Sequence, residues 1–464
     1  MAEPTQKEPP VRLTHHLSYG IYRSFEYFLK LFPMEVVCTV GGLIGSLAAF
    51  ILPSRRAIVI RNLRIAYGEQ LSHSEIQALC RRTYWNVGAN LIAAIKANNM
   101  KPEDLHGRME FVGVENLALA RKENVGFILL LAHMGSWEIL VQMHLTVPGL
   151  LPFGGLYRPL GNPLLDKLVK RRRQHTGTKL FSRKDGFFTP IAHLKQNGTL
   201  GAFSDQNAGK HGMAVSMFGK LMSLTNLPAL LHRRTGAPII PVSMCTTGLG
   251  QWRVTFHPAL EISDTDKTNA AVTTALCAKA YESMMTESPA DILWMHNYWK
   301  LARKAPLKIN GVQKKKNIHS LTHPTTPFKL LIFTGNTPAN DQEMLAAIKL
   351  LKNHRPDAEI TIVGEFIDSQ DARYHLKMDP SEPPHIIGNA IHQHDLACTT
   401  PIDCAIDLTP DAAGEQILKI SKLPSCFSMK GKNQSLRTKT LFENPEKKNL
   451  LGLLESLGLE TPAT

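Results

Sequence analysis

The chain has 464 residues, of which 43% are hydrophobic and 20% are charged, so a folded protein of two or three domains is expected rather than disorder. Its formal net charge of +14 is uneven, because residues 1–327 hold 39 Lys/Arg and 21 Asp/Glu whereas residues 328–464 hold 14 and 18. The basic part suits a polyanion or an anionic membrane face, but no zinc-finger, RNA-recognition or basic-zipper pattern favours nucleic acid.

Residues 1–104 are predicted to form a helical region attached to a membrane. Within it, Val36–Leu52 contains 17 residues and no charge. A helix of this length reaches about 25 Å, slightly less than a ~30 Å hydrocarbon core. The segment therefore either spans marginally or lies in one leaflet, and a buried core helix is the alternative. Four arginines follow within residues 55–64, which places the bulk of the protein in the cytoplasm by the positive-inside tendency.

Residues 105–305 alternate apolar strands with helices, the pattern of an α/β sheet covered on both faces. Before this region, Ser72 and Glu75 form a capping-box pattern that opens a helix to about Ile95. Apolar runs predict three strands, at Thr199–Phe203, Ala237–Met244 and Trp252–Phe256.

The motif HMGSWE follows an apolar run that begins at Phe127 and ends on His133. Glu138 comes after a turn that contains Gly135. In α/β proteins, chemistry tends to lie at the carboxyl ends of strands. A single His after a strand is more often a hydrogen-bonded structural residue, so its assignment depends on the rest of the chain.

Polar side chains also follow two further apolar segments. Tyr157 and Arg158 end one, and Asp205 and Gln206 follow Thr199–Phe203. A helix opened by Asn162 and Pro163 then presents five cations, for which a solvated helical face is the simplest explanation; they are Lys167, Lys170, Arg171, Arg172 and Arg173.

In this order, the motifs resemble those of the bacterial lipid A late acyltransferases, the lauroyl/myristoyl members of the lysophospholipid acyltransferase superfamily. The resemblance covers about residues 15–305 and includes an HxxxxE motif at His133–Glu138, Tyr157-Arg158-Pro159, Ser204-Asp205-Gln206 and Arg234–Pro238. Relatives usually read Pro-Asp-Gln where this chain reads Ser204-Asp205-Gln206. They also carry Arg after the His of the closing segment, which reads WMHNYWK here, so one basic contact is missing or moved.

The resemblance implies acyl transfer from an acyl carrier protein thioester to a hydroxyl of a lipid A precursor. His133 would act as the general base, oriented by Glu138, and backbone N–H groups near Gly135 would stabilise the oxyanion. The alternatives are acyl-CoA as donor, a lysophospholipid or another glycolipid as acceptor, or a membrane-attached binding module without turnover. Neither a metal nor a cofactor is expected.

The remaining site residues follow from the same resemblance. Arg158 would bind an acceptor phosphate or sugar acid or steady the transition state, because its planar fork suits anions. Asp205 and Gln206 would hold acceptor hydroxyls or brace Arg158, and Tyr157 would be a further substrate-binding residue. The acyl carrier protein is acidic, so the five cations of the 167–173 helix become a docking surface for the donor. The site would lie at the cytoplasmic face of the bacterial inner membrane.

The tail is predicted as a basic, Pro-containing linker at 306–327 and a small Rossmann-like domain at 328–464. A strand, a helix and a strand form one βαβ unit, and two more strands and a terminal helix follow; the segments are Phe328–Phe333, Asp341–Asn353, Glu359–Val363, Cys404–Leu408, Ser425–Met429 and Pro445–Glu460. This order resembles the first half of a family 9 glycosyltransferase. The turn Thr334–Thr337 lacks the Gly-Asp of those enzymes, and the nucleotide-sugar half is absent. A scaffold, an acceptor-recognition domain or a relic is therefore expected, without glycosyl transfer.

Overall fold

A computed structural model describes residues 10–122, 124–182, 186–263, 269–301, 307, 326–335, 341–364, 374–376, 383–407, 412–423, 426–428 and 438–440. The chain divides into two compact units. Unit 1 contains Met1–Val59, Ala78–Gln206 and Thr225–His296, and unit 2 contains Ile60–Gln77, Asn207–Leu224 and Asn297–Thr464. The predicted domains are continuous stretches of chain with boundaries at 104, 305 and 327, whereas each unit combines three separate stretches.

The N-terminal region is helical, as the sequence predicts: α1 is Leu13–Lys30, α2 Met34–Ile51, α3 Pro53–Tyr67 and α4 His73–Ala97. The capping box is confirmed. The Ser72 N–H donates to Glu75 Oε2 at 2.8 Å, and the Glu75 N–H donates to Ser72 Oγ at 3.4 Å. These bonds satisfy backbone donors at the start of α4 that no helical carbonyl can reach.

Helix α2 presents different residues on its two sides. Glycines face α4, and a Cβ at Gly45 would lie 2.1 Å from the Tyr84 carbonyl oxygen, so only Gly allows this approach. On the other side, Leu43, Leu47 and Phe50 are exposed. By length and composition alone α2 could cross a membrane, and 33% of it is buried in the protein. The predicted apolar helix is therefore confirmed.

The larger sheet lies in unit 1 and has seven strands. In chain order, the strands of residues 109–256 are β1 Met109–Val112, β2 Ile128–Leu131, β3 Phe153–Tyr157, β4 Lys179–Ser182, β5 Thr199–Phe203, β6 Met213–Met217, β7 Lys220–Leu224, β8 Ile239–Gly248 and β9 Gln251–Phe256. The sheet order is β1-β9-β8-β2-β5-β3-β4. Only β8 and β9 pair antiparallel within it. Every residue of β2 is buried. This strand lies in the centre of the sheet, so the residues that follow it lie at the middle of one sheet edge.

The helices associated with these strands are α5 Pro102–His106, α6 Glu115–Leu119, α7 Pro163–His175, α8 Phe188–Lys195, α9 Leu227–Thr235 and α10 Ala270–Glu287. The predicted alternation of strand and helix over residues 105–305 is thus confirmed as a mixed α/β arrangement. Asn162 caps α7 through its side-chain oxygen, which accepts the N–H of Leu164, and Pro163 takes the first helical position.

Unit 2 contains the antiparallel hairpin β6–β7 and a six-stranded parallel sheet. The sheet order is β12-β11-β10-β13-β14-β15. Its strands are β10 Phe328–Gly335, β11 Ala358–Gly364, β12 Tyr374–Leu376, β13 Cys404–Asp407, β14 Cys426–Ser428 and β15 Thr438–Thr440, and its helices are α11 Asp341–His354, α12 Pro384–Ala397 and α13 Ala412–Ile420. The predicted βαβ unit and the two later strands are confirmed, whereas Pro445–Glu460 and most of the predicted linker lie outside the described residues.

A buried charge cluster lies within unit 2. Asp403 is 1% exposed, and its carboxylate pairs with Arg61 and with Lys220, each at 2.6 Å. Arg64 pairs with Asp395 at 2.8 Å. Buried charges are tolerated when each has a partner at hydrogen-bond distance. Residues from α3 and from the β6–β7 hairpin thus share buried ion pairs with the tail.

Candidate active site

His133 is delivered to the sheet edge by β2, two residues after the strand ends. The turn that follows depends on Gly135, which has φ +58°, and a Cβ there would lie 2.4 Å from the Met244 carbonyl oxygen. The chain then enters a 3₁₀ helix, Trp137–Leu145, which carries Glu138 in its first turn. Both a left-handed conformation and close backbone contact therefore require Gly at this point.

Asp205 is the hydrogen-bond partner of His133. Strands β2 and β5 are parallel neighbours with Leu131 opposite Phe203, so the residues two positions further on meet. Asp205 Oδ1 lies 2.6 Å from His133 Nδ1, and Oδ2 accepts the His133 backbone N–H at 3.0 Å. A carboxylate only accepts, so Nδ1 carries the proton in the neutral ring and Nε2 keeps its lone pair.

The pair is buried, and each partner shifts the pKa of the other. Burial by itself would lower the pKa of His133, but the charge and hydrogen bond of Asp205, with the charge of Glu138, outweigh it and raise the pKa above its ordinary value. Burial would raise the pKa of Asp205, which is 0% exposed, but His133 outweighs it and the pKa is lowered. The structure thus holds Asp205 ionised beside the imidazole.

Glu138 does not make the orienting bond that the sequence analysis expected of it. Its carboxylate is 48% exposed and pairs with Arg173 of α7 at 2.8 Å. The 3₁₀ helix directs this side chain toward α7, while the adjacent strand β5 brings Asp205 to Nδ1. Glu138 acts on His133 through its charge rather than through the Nδ1 hydrogen bond.

Gln206 lies beside the second ring nitrogen of His133. The His133 side chain is 18% exposed, and Gln206 Nε2 lies 3.4 Å from His133 Nε2, to which its amide can donate. The rings of Phe203 and Trp137 lie 4.9 Å and 5.7 Å from the imidazole between centroids. The nitrogen that can accept a proton therefore has an amide donor beside it, and two aromatic rings border the imidazole.

Tyr157 and Arg158 take different roles at the end of β3. Tyr157 is buried and donates its hydroxyl hydrogen bond to Asp166, which also accepts the Leu160 N–H at 2.7 Å. Burial, together with Asp166, raises the pKa of Tyr157 well above its ordinary value. The Tyr157 hydroxyl, predicted to bind substrate, is thus committed to the turn after β3, whereas the Arg158 side chain is exposed.

The five cations of the 167–173 helix are not equally available. Lys170 pairs with Asp166 at 2.8 Å, Arg172 with Glu26 at 2.6 Å, and Arg173 with Glu138. Lys167 and Arg171 are exposed, one turn apart, and neither has an ion-pair partner among the described residues. Within the part of the chain that the structure describes, Lys167 and Arg171 are thus the two predicted docking cations without an ion-pair partner.

The backbone donors near Gly135 are also partly committed. The Gly135 N–H donates to the Asp291 carbonyl at 3.0 Å, and the Met134 N–H donates to the Ala132 carbonyl at 2.9 Å. Those two groups are not free to bind an oxyanion, contrary to the sequence-based expectation for Gly135. Within the described residues, no three His, Cys, Asp or Glu side chains converge as metal ligands would.

Comparison with known proteins identifies the family of the chain. The family described as bacterial lipid A biosynthesis acyltransferase matches residues 6–301, so the chain belongs to that family. It is accordingly an acyltransferase of lipid A biosynthesis.

Individual relatives are distant in sequence. The chain is 25% identical over 272 residues to the lipid A biosynthesis palmitoleoyltransferase of Escherichia coli (strain K12), covering 58% of this chain and 86% of the relative. It is 25% identical over 273 residues to the lauroyltransferase of the same organism, with the same coverage of both chains. It is also 25% identical over 199 residues to the phosphatidylinositol mannoside acyltransferase of Mycobacterium tuberculosis (strain ATCC 25618 / H37Rv), covering 40% of this chain and 58% of the relative.

Among solved structures, a family 9 glycosyl transferase from Veillonella parvula DSM 2008 is 14% identical and has a TM-score of 0.23. The match covers 29% of this chain and 42% of that chain. A TM-score of this size does not equate the two folds, and the glycosyltransferase-like character of the tail stays a prediction.

Proposed function

We propose that this acyltransferase moves a fatty acyl chain from an acyl carrier protein thioester to a hydroxyl of a lipid A precursor, with His133 as the general base. The observation that carries the proposal is the bond between His133 Nδ1 and the buried carboxylate of Asp205 at 2.6 Å. This bond assigns the ring proton to Nδ1 and leaves the lone pair of Nε2 to accept the proton of an attacking alcohol, which would replace the Gln206 amide at that nitrogen.

The reaction needs no protein nucleophile. The acceptor oxygen attacks the thioester carbonyl carbon while its proton passes to His133 Nε2. The tetrahedral intermediate then collapses, the C–S bond breaks, and the proton on Nε2 passes to the leaving thiolate. Asp205 stays ionised and stabilises the imidazolium, as the Asp of a hydrolase triad does.

The other site residues act around this pair. Gln206, beside Nε2, would hold the acceptor hydroxyl, and exposed Arg158 would bind a phosphate or sugar acid of the acceptor. Glu138 adds negative charge near His133 and holds Arg173. Tyr157 would act indirectly, by fixing the turn that presents Arg158.

Donor and membrane would meet the protein on separate surfaces. Lys167 and Arg171 would offer two exposed charges to the acidic carrier protein. The exposed apolar side of α2 would attach the enzyme to the cytoplasmic face of the inner membrane, where the lipid acceptor lies. A second acceptor class is a phosphoglycolipid, because one relative is a phosphatidylinositol mannoside acyltransferase.

Mass spectrometry tests the proposal. The purified protein is incubated with acyl-carrier-protein thioester and offered a lipid A precursor, a phosphatidylinositol mannoside and lysophosphatidate together. The expected result is a new acyl mass on the lipid A precursor that His133→Ala abolishes. His16→Ala is the matched control, because His16 is an exposed residue of α1, and it should keep the activity.

Other results would change the conclusion in defined ways. Acylation of another acceptor would keep the chemistry and replace the substrate. Activity with acyl-CoA alone would remove the carrier protein from the proposal. Acyl transfer by His133→Ala at the wild-type rate would disprove the role of His133.

A further inference from the structure

A segment just before the closing WMHNYWK motif binds the turn that carries His133. The Leu293 N–H donates to the His133 carbonyl at 3.0 Å, and the Gly135 N–H donates to the Asp291 carbonyl at 3.0 Å. Between them, Met134 and Ile292 form an antiparallel bridge. The catalytic turn is therefore held from one side by Asp205 and from the other by residues 291–293.

Residues 291–293 are called the clamp below, and the Asp291 side chain anchors it in the core. The side chain is 1% exposed, and each oxygen accepts two close hydrogen bonds. Oδ1 accepts from the Thr246 hydroxyl at 2.6 Å and from Asn86 Nδ2 at 2.9 Å. Oδ2 accepts from the Thr246 N–H and from the Ser288 hydroxyl, both at 2.7 Å. Four close neutral donors, and Asn90 Nδ2 at 3.5 Å from Oδ1, thus bind one buried carboxylate, and α4, β8 and the segment after α10 are tied together.

The same network reaches the turn a second time, through Asn90 of α4. Asn90 Nδ2 donates to the Thr246 hydroxyl at 3.0 Å, and the Trp252 indole N–H donates to Asn90 Oδ1 at 2.7 Å. The Ser136 hydroxyl, next to Gly135, donates to the Asn90 carbonyl at 3.1 Å. Both halves of the turn are therefore fixed to one polar cluster inside unit 1.

We propose that Asp291 is a positioning residue for acyl transfer, which fixes the turn so that the His133 ring bonds Asp205 and aims Nε2 at the acceptor hydroxyl. The inference rests on the proposed function of His133. Asp291 touches neither His133 nor the reacting atoms with its side chain, so it acts through the backbone bonds at 133–135. Displacements of about 1 Å at a catalytic group can cost about 100-fold in rate.

The test compares Asp291→Asn with Thr246→Val. The second substitution removes the hydroxyl donor to Asp291 Oδ1 and keeps the shape of the side chain. Asn places an NH₂ group where two donors now converge, so the clamp must shift. We expect Asp291→Asn to lower kcat about 100-fold with KM changed less than about threefold, and Thr246→Val to lower kcat by less. Asn116→Ala is the matched control, because Asn116 Nδ2 donates to the Phe256 carbonyl at 2.8 Å, away from the turn.

A second readout does not depend on turnover. Titration of His133, followed by NMR with labelled histidine, should show its pKa moving toward the ordinary value in Asp291→Asn and Thr246→Val but not in Asn116→Ala. Wild-type kcat and titration in both folded variants would overturn the proposal, as would an equal change in Asn116→Ala. If the wild type acylates nothing, the proposed function fails while the titration still decides whether Asp291 positions His133.

Discussion

Two carboxylates act on His133, and the protein holds them differently. Asp205 is 0% exposed and makes two hydrogen bonds to His133 from the end of a neighbouring strand. Glu138 is 48% exposed and pairs with Arg173. Water competes with Glu138 and not with Asp205, so Asp205 orients the ring and Glu138 contributes charge.

Replacing Asp205 should cause the largest loss of activity. In Asp205→Asn the amide can donate to Nδ1, which moves the ring proton to Nε2 and removes the base. We expect kcat to fall about 10²- to 10⁴-fold, the range of a lost general base. The measurement is the rate at saturating acyl carrier protein and lipid acceptor. A folded variant with near wild-type kcat would contradict the assignment of Asp205 as the residue that orients His133.

The pH dependence should follow the raised pKa of His133. The base is active when unprotonated, so kcat/KM should rise about tenfold per pH unit and level off at a pH above ~6.5. The raised pKa also adds stability that is fully present below about pH 6.5 and is lost as pH rises through the folded value. A profile that falls through this range would contradict the role of His133 as base.

Glu138→Gln should have a smaller effect than Asp205→Asn. It removes a charge that raises the pKa of His133, so the inflection of the pH profile should move down while Nδ1 keeps its bond to Asp205. We expect kcat to fall by about tenfold or less, and the effect to shrink at high salt because the carboxylate is half exposed. A loss equal to that of Asp205→Asn would return the orienting role to Glu138.

Reversing two exposed charges of α7 should have the smallest effect, on donor binding alone. In the double variant Lys167→Glu, Arg171→Glu we expect KM for the acyl carrier protein to rise about three- to tenfold with kcat unchanged. Lys195→Glu, on α8, is an exposed charge-reversal control. Equal changes in both variants would indicate a net-charge effect without a docking surface.

The sequence predicts the elements better than the contacts between them. The capping box at Ser72 and the strand before His133 are local features, set by spacing and apolar runs, and the structure confirms both. The choice of Asp205 over Glu138 depends on β5 lying beside β2, which no local pattern records. The sequence did contain a usable signal. His133 and Asp205 both follow apolar strands, and parallel strands bring such residues to one edge of the sheet.

The charge cluster at Asp403 shows that the stretch of chain that matches the family differs from the stretch that contains the ion-pair partners. The family match ends at residue 301, yet Arg61 and Lys220, both inside the matched stretch, share a buried carboxylate that lies about a hundred residues beyond that limit. The stretch that matches the family is therefore shorter than the stretch that contains the partners of its own buried cations. Truncation at the family limit would remove the counterion of Lys220, so the tail belongs to the folded protein whatever its ancestry.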